Sequence, residues 1–275
     1  MYCTEIYMKK YIIALSITAI LSSCSQYQKT LKSEDKTKKY ELASELYAKG
    51  KYNKAIRLYE QITGTYRGKP SGEALFYRLS KSYYETKQYY LAAEQFKSFI
   101  NGYPKSEKRD EAMFLRGKSY AILSPVYSQD QNDTELAIET LQAFIDSYPD
   151  SENIAEANEL MAQMTDKLER KAFEIAKQYN TIGEYTRNYN ASIVSIDNFL
   201  INHPGSKYRE DALFIKFDSL YKLAMNSIEG KREERLKKAS DAYVVFAETF
   251  SDSKYKVNAD DMNDKLNNEL EQYSN

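Results

Sequence analysis

FIDSYPDS, residues 144–151, recurs in variant form three more times: FINGYPKS at 99–106, FLINHPGS at 199–206 and FAETFSDS at 246–253. Each copy opens on phenylalanine and closes on serine, and an alanine stands six residues past the serine (Ala112, Ala157, Ala212, Ala259). A repeated turn carries no chemistry of its own. It implies helices that must stop and hand over to a successor.

The helices can be placed from a small residue in KYNKAIRLYEQI, Ala55, and its counterparts Ala92, Ala137, Ser192 and Ala239. Four residues on stand Tyr59, Phe96, Leu141, Ile196 and Tyr243; seven on stand Ile62, Phe99, Phe144, Phe199 and Phe246. Positions i, i+4 and i+7 share one face of an α-helix. Twelve on, Pro104, Pro149 and Pro204 block continuation. A preceding helix carries its own stripe, Leu42 and Leu46 in the first unit and Phe76, Leu79 and Tyr83 in the second. ALFYR (74–78), AMFLR (112–116) and ALFIK (212–216) read as variants of one helix start.

This is the tetratricopeptide (TPR) pattern, whose standard period is about 34 residues. The anchors lie 37, 45, 55 and 47 residues apart. The surplus is expected in the first helix or the loop after it, as in SPVYSQDQND (124–133) and the stretch 158–190. The predicted fold is all-α, a right-handed superhelical solenoid of about five TPR-like helix pairs. Neighbouring pairs share a continuous core, so no pair need be stable alone. Repeats are expected over 39–154 and 155–273.

The first residues are a different material. Lys9 and Lys10 precede the apolar run YIIALSITAIL (11–21), which ends in small residues. A positive region, a short apolar core and a small-residue end make an export signal, here 1–23. The run is too short for a membrane-spanning helix. Met8 offers a second start, which would leave residues 1–7 untranslated. Leu21-Ser22-Ser23-Cys24 resembles a bacterial lipobox, which implies lipid on Cys24 and anchoring to a membrane. Loss of Cys3 with the signal would leave Cys24 as the single cysteine. Residues 24–38 are then expected to be the lipidated cysteine and a flexible tether. An acidic run after Cys24 is absent, which by the same resemblance favours the periplasmic side.

Composition narrows the function. With 39 basic and 40 acidic residues, the chain offers no electrostatic footprint for nucleic acid. Its single histidine, His203, takes the turn position of Tyr103 and Tyr148. One possible base and no free thiol leave neither a nucleophilic triad nor a zinc site. A glycine-rich phosphate loop is also missing. The acidic pairs Asp110-Glu111, Glu210-Asp211 and Asp260-Asp261 fall at helix starts, where the helix dipole favours carboxylates. No cofactor, metal or catalytic residue is expected, and the chain reads as a non-enzyme. The 26 tyrosines suit half-wet contact surfaces.

Lipobox, five TPR-like pairs and the F-x-x-x-[YH]-P-x-S turn together resemble the BamD family of outer-membrane protein assembly factors. The resemblance implies a lipoprotein on the periplasmic face of the outer membrane. There it would bind unfolded outer-membrane β-barrel proteins through its N-terminal repeats and the periplasmic domains of BamA through its C-terminal ones. It also implies a basic BamA contact near the second helix of the fourth pair, for which Arg187 stands nearest. Peptide-facing positions of a TPR lie on the first helix. Counted back from Ala55 and Ala92, they fall on Tyr40 and Tyr47, then Tyr77 and Tyr84, with Lys81 between the latter two. The third repeat offers Leu115. Such tyrosines can stack on side chains and hydrogen-bond an extended backbone. Two other classes compete: a TPR lipoprotein organising peptidoglycan synthesis or division, and a starch-uptake type nutrient binder. The first often carries a coiled coil and the second a large extra region, and there is no room here for either.

Overall fold

A computed structural model describes residues 26–273, and every regular element in it is helical. After a short helical segment at 26–32 come α1 (Lys36–Ala48), α2 (Tyr52–Tyr66), α3 (Glu73–Glu85), α4 (Tyr89–Gly102), α5 (Arg109–Leu123) and α6 (Asn132–Ser147). They are followed by α7 (Ile154–Thr186), α8 (Asn190–Asn202), α9 (Arg209–Met225), α10 (Glu229–Thr249) and α11 (Lys256–Glu271). These form five helix pairs and a closing helix. The chain divides into two compact units: residues up to Ser124 with Asn132–Met164, and Pro125–Gln131 with residues from Thr165 on. The division therefore falls inside α7, ten residues beyond the boundary expected at 154, and gives the 125–131 loop to the second unit.

The expected face is the core. All five anchors, Ala55, Ala92, Ala137, Ser192 and Ala239, are fully buried. Tyr59, Phe96, Leu141 and Ile196 are buried four residues on, while Tyr243 is only partly covered. Ile62, Phe99, Phe144, Phe199 and Phe246 are buried in turn. Small anchors let the two helices of a pair approach, and the large residues then fill the space between successive pairs. An aromatic ring on the first helix meets the seventh-position ring of the second in four pairs. Tyr77–Phe99, Phe114–Phe144, Phe173–Phe199 and Phe214–Phe246 have centroids 5.6, 5.6, 5.7 and 5.8 Å apart and tilted planes.

The repeated turn has one geometry four times. Tyr103, Tyr148, His203 and Phe250 close the preceding helix with an amide bond to the phenylalanine carbonyl four residues back. The serine amide bonds the carbonyl three residues back, and its hydroxyl accepts the amide two residues on (Lys108, Asn153, Tyr208, Tyr255). In three of the four copies the serine hydroxyl also reaches across to the previous repeat. Ser106 donates to Glu73 at 2.6 Å, Ser151 to Asp110 at 2.9 Å and Ser253 to Glu210 at 2.7 Å. The serine thus ties the start of one first helix to the start of the one before it. Ala112, Ala157, Ala212 and Ala259 follow fully buried, leaving room for the neighbouring helix.

Three expectations need correction. The described part of the 24–38 tether is not a loose strand: residues 26–32 are helical, Asp35 caps α1 through the Lys38 amide, and Tyr27 is buried in the first core. The extra length of the last pair lies in neither place expected. It extends the front of α10, which runs ten residues ahead of Ala239 and ties to α11 through Arg232–Glu269 at 2.6 Å. In the third pair Leu115 is core, and Phe114 takes the place of Tyr77 against the second-helix ring. The surplus of the fourth pair does lie in its first helix, as α7 has 33 residues. Cys24 and the export signal expected at 1–23 lie outside the described residues.

Candidate functional site

The first helices of the first unit present one continuous side, and three of the singled-out tyrosines meet there. Tyr40 and Tyr47 from α1 and Tyr77 from α3 line a cleft of about 610 Å³, closed by Tyr66, Arg78 and Lys108. Spacing explains the convergence: Tyr40 and Tyr47 stand two turns apart on one face of α1, and α3 places Tyr77 beside them. All three rings are half-buried. Tyr40 stacks on Tyr66 with centroids 5.3 Å apart, and the Arg78 guanidinium lies over Tyr47 at 5.9 Å. Arg78 is itself fixed by a 2.9 Å bond to the Ser44 hydroxyl.

The polar groups divide into two kinds. No hydrogen bond engages the hydroxyls of Tyr40 and Tyr47 among the described residues, and neither atom is sealed from solvent. Burial of the Tyr47 ring pushes its hydroxyl up to about 12, so it remains a donor at any physiological pH. Tyr77 is different: burial and the facing Glu111 carboxylate push its hydroxyl up. Burial works against the charge of Glu111, yet Tyr77, Lys81 and Lys108 outweigh it and hold the carboxyl below its ordinary range.

Lys81 sits 3.1 Å from Glu111 and 3.7 Å from Glu85. Tyr84 lies one turn further on, edge-on to Tyr89 and beside Lys118, whose ammonium is 2.6 Å from Glu156. The structure therefore gathers Tyr40, Tyr47 and Tyr77 into one cleft. It assigns Lys81 and Tyr84 to an adjoining ladder of charges.

Sequence reading missed Tyr66, Arg78, Lys108 and Glu111. The one available signal was the turn motif, since Lys108 follows its serine by two and Glu111 opens the next helix. Arg187 lies outside this unit. It ends α7 with a left-handed backbone (φ 58°), its amide bonded to the Gly183 carbonyl at 2.8 Å, and so precedes the second helix of its pair. His203 lies in its turn, tilted against Phe199. Among the described residues no cluster of three or more His, Cys, Asp or Glu could hold a metal ion, and no helix is long and apolar enough to cross a membrane.

Stacked TPR-type helix pairs behind a lipid-attachment leader define a class, the lipid-anchored helical-repeat lipoproteins. The lipid attachment site profile of prokaryotic membrane lipoproteins matches residues 8–25, a stretch that contains Cys24. The outer membrane lipoprotein profile (YfiO) matches residues 32–188 and 184–274, and the chain belongs to that family. It is 34% identical over 187 residues to a protein of Aquifex aeolicus (strain VF5) described as outer membrane protein assembly factor BamD. That match covers 68% of this chain and 58% of the relative, less than two thirds of its length.

Among solved structures, the chain is similar to the TPR2AB domain of yeast Sti1 in its pHSP90 complex (12% identity, TM-score 0.38, 84% and 98% of the two chains). It is also similar to TPR-like repeats of a Podosopora anserina kinesin light chain (16%, 0.32, 79% and 99%). Likenesses this distant do not bear on function.

Proposed function

We propose that the chain is a scaffold lipoprotein of the outer-membrane β-barrel assembly machinery, held on the periplasmic face of the membrane by lipid on Cys24. In this reading the cleft of the first unit takes unfolded segments of β-barrel proteins, and the second unit, with Arg187 at the start of its second-helix surface, docks the periplasmic domains of BamA. The observation that carries it is the cleft: rings from two repeats, those of Tyr40 and Tyr47 with hydroxyls left open, on a chain of the outer membrane lipoprotein family. An unfolded β-barrel strand alternates apolar and polar side chains along an unpaired backbone, and stacked rings flanked by open donors suit both. Acyl chains contribute about 0.8 kcal/mol per buried CH₂, so two or three of them on Cys24 make the anchoring effectively permanent.

The test is a pair of pull-downs read beside outer-membrane β-barrel levels. Alanine at Tyr40, Tyr47, Tyr77 and Tyr84 should weaken capture of unfolded β-barrel segments while BamA is retained. Arg187→Glu should do the reverse. Loss of BamA from the tyrosine variant removes the division of labour. Normal β-barrel levels after depletion of the protein remove the assembly role and leave peptidoglycan organisation as the better reading.

A further inference from the structure

Cys24 stands close in sequence to the folded body. Two peptide links separate Cys24 from Gln26, at most about 7 Å of chain. Gln26 already belongs to the helical segment whose Tyr27 is buried in the first core. If Cys24 bears the lipid, as the proposed function requires, the surface around Tyr27 must stand at the bilayer.

That surface has a distinct character. Tyr27 and Gln28 share a hollow of about 550 Å³ with Asn53, Lys54, Arg57 and Leu91, and Lys54 lies 5.2 Å from the Tyr27 ring. Lys51 adjoins Lys54 at the start of α2, and Lys87 precedes Gln88, which lines the same hollow. Lys51, Lys54, Arg57 and Lys87 are all exposed, and none forms a salt bridge among the described residues; Glu45, which attracts Lys51, is bonded to Lys49. The two carboxylates on the rim are engaged elsewhere: Glu60 accepts the Tyr83 hydroxyl and Glu85 faces Lys81. Leu91, 42% exposed, lines the same hollow, and Tyr90, 61% exposed, precedes it in the first turn of α4.

We infer that this edge of the first unit is a headgroup-binding surface that lays the first two repeats against an anionic bilayer. Lys51, Lys54, Arg57 and Lys87 would meet lipid phosphates, and Tyr90 and Leu91 would enter the interfacial layer. Unpaired cations are attracted to anionic leaflets within about a Debye length, and tyrosine favours the headgroup level. Lipid and protein surface then act together, and the anchor fixes an orientation instead of a point of attachment.

The test uses the mature chain with Cys24→Ser, which has no acyl group, and flotation with phosphatidylcholine vesicles with or without phosphatidylglycerol. Binding should need phosphatidylglycerol and fall with added salt. Lys51→Glu with Lys54→Glu should lower partitioning at least about thirty-fold, at about five-fold for each charge removed. Acidic residues at the start of α2 suit the helix dipole, so this variant should fold. Lys237→Glu with Lys238→Glu makes the same charge change on α10 and should leave flotation far less affected. Tyr90→Ala should reduce binding with weaker salt dependence.

Equal flotation on neutral vesicles, no flotation at all, or an equal loss in the α10 variant overturns the proposal. Displacement of vesicles by an unfolded β-barrel peptide overturns it too, because it would make the patch a peptide site. Failure of the lipid reading shows separately, as an unmodified residue 24 in the mass spectrum of the native protein.

Discussion

Removing the turn serine one copy at a time should show that the motif links repeats. Ser151→Ala deletes a 2.9 Å hydroxyl-to-carboxylate bond to Asp110 and the acceptor for the Asn153 amide at 3.2 Å. A hydrogen bond to a charged partner contributes about 1.5–3 kcal/mol. Asp110 is part-exposed and can be rehydrated, which discounts the bond to about 1–1.5 kcal/mol, with the lost amide bond adding about 0.5. Ser206 supplies the comparison, since its hydroxyl takes the Tyr208 amide at 3.2 Å without a carboxylate. Ser206→Ala should therefore cost only about 0.5–1 kcal/mol.

Urea unfolding followed by fluorescence and circular dichroism is the assay. Ser106 and Ser151 lie in the first compact unit and Ser253 in the second. If the units unfold in separate steps, Ser151→Ala should shift one midpoint and Ser253→Ala the other, with unchanged m-values. A double-mutant cycle of Ser106→Ala and Glu73→Gln should return a coupling of about 1 kcal/mol. Equal losses at Ser151 and Ser206, or no coupling in the cycle, would show that the serine serves only its own turn.

Three further outcomes follow from particular contacts. A Cβ on Gly183 would sit 2.5 Å from the Tyr189 ring, which is buried, so Gly183→Ala should cost about 1–3 kcal/mol in thermal unfolding despite its better helix propensity. Arg187→Gly should stabilise by about 0.5–1 kcal/mol by relieving the left-handed backbone, while Arg187→Glu leaves the melting temperature nearly unchanged. Loss of BamA from the Glu variant would then not be a folding defect.

pH acts through two groups of opposite sign. The folded value of Glu111 is lowered, so its contribution is present above the ordinary carboxylate range and is lost as pH falls through the lowered value. That of Tyr47 is raised to about 12, so its contribution holds below the ordinary phenol value and is lost as pH rises towards 12. Tyrosinate absorbance should show late-ionising tyrosines, and Tyr47→Phe should remove one of them while Tyr77 and Tyr83 still ionise late.

What could be read from sequence was whatever repeats locally. The anchor, its fourth and its seventh neighbour lie within two helical turns, so burial leaves a periodic trace, as Ala92, Phe96 and Phe99 show. What could not be read depends on partners in other repeats. Glu111 meets Lys81 from thirty positions away, and Ser253 meets Glu210 from forty-three. Charged residues at such separations carry no periodic signal. Leu115 was misplaced for a related reason. Aligning AMFLR on ALFYR pairs Leu115 with Tyr77, but Ser106 reaching Glu73 and Ser151 reaching Asp110 set the register one residue earlier, so the counterpart of Tyr77 is Phe114. The helix at 26–32 is concealed by its polar composition, because only the buried ring of Tyr27 and the partly buried Leu31 fasten it to the core.

The open hydroxyls allow a finer test of the cleft than alanine does. Tyr→Phe keeps each ring and its stacking and removes only the donor. At Tyr77 that donor already faces Glu111, so Tyr77→Phe should lower stability, and its effect on peptide binding should track that loss. At Tyr40 and Tyr47 the donor has no partner among the described residues, so Tyr40→Phe and Tyr47→Phe should leave the midpoint of unfolding unchanged. If the cleft holds an extended backbone, each should weaken binding of an unfolded β-barrel peptide by about two- to twelve-fold, the equivalent of one net hydrogen bond of about 0.5–1.5 kcal/mol. Fluorescence anisotropy of a labelled peptide measures this directly. Affinity unchanged in both phenylalanine variants but lost in the alanine ones would mean that the rings bind by stacking alone, and the hydroxyls then have no part in recognising backbone. Affinity unchanged in the alanine variants as well would remove the cleft as the peptide site.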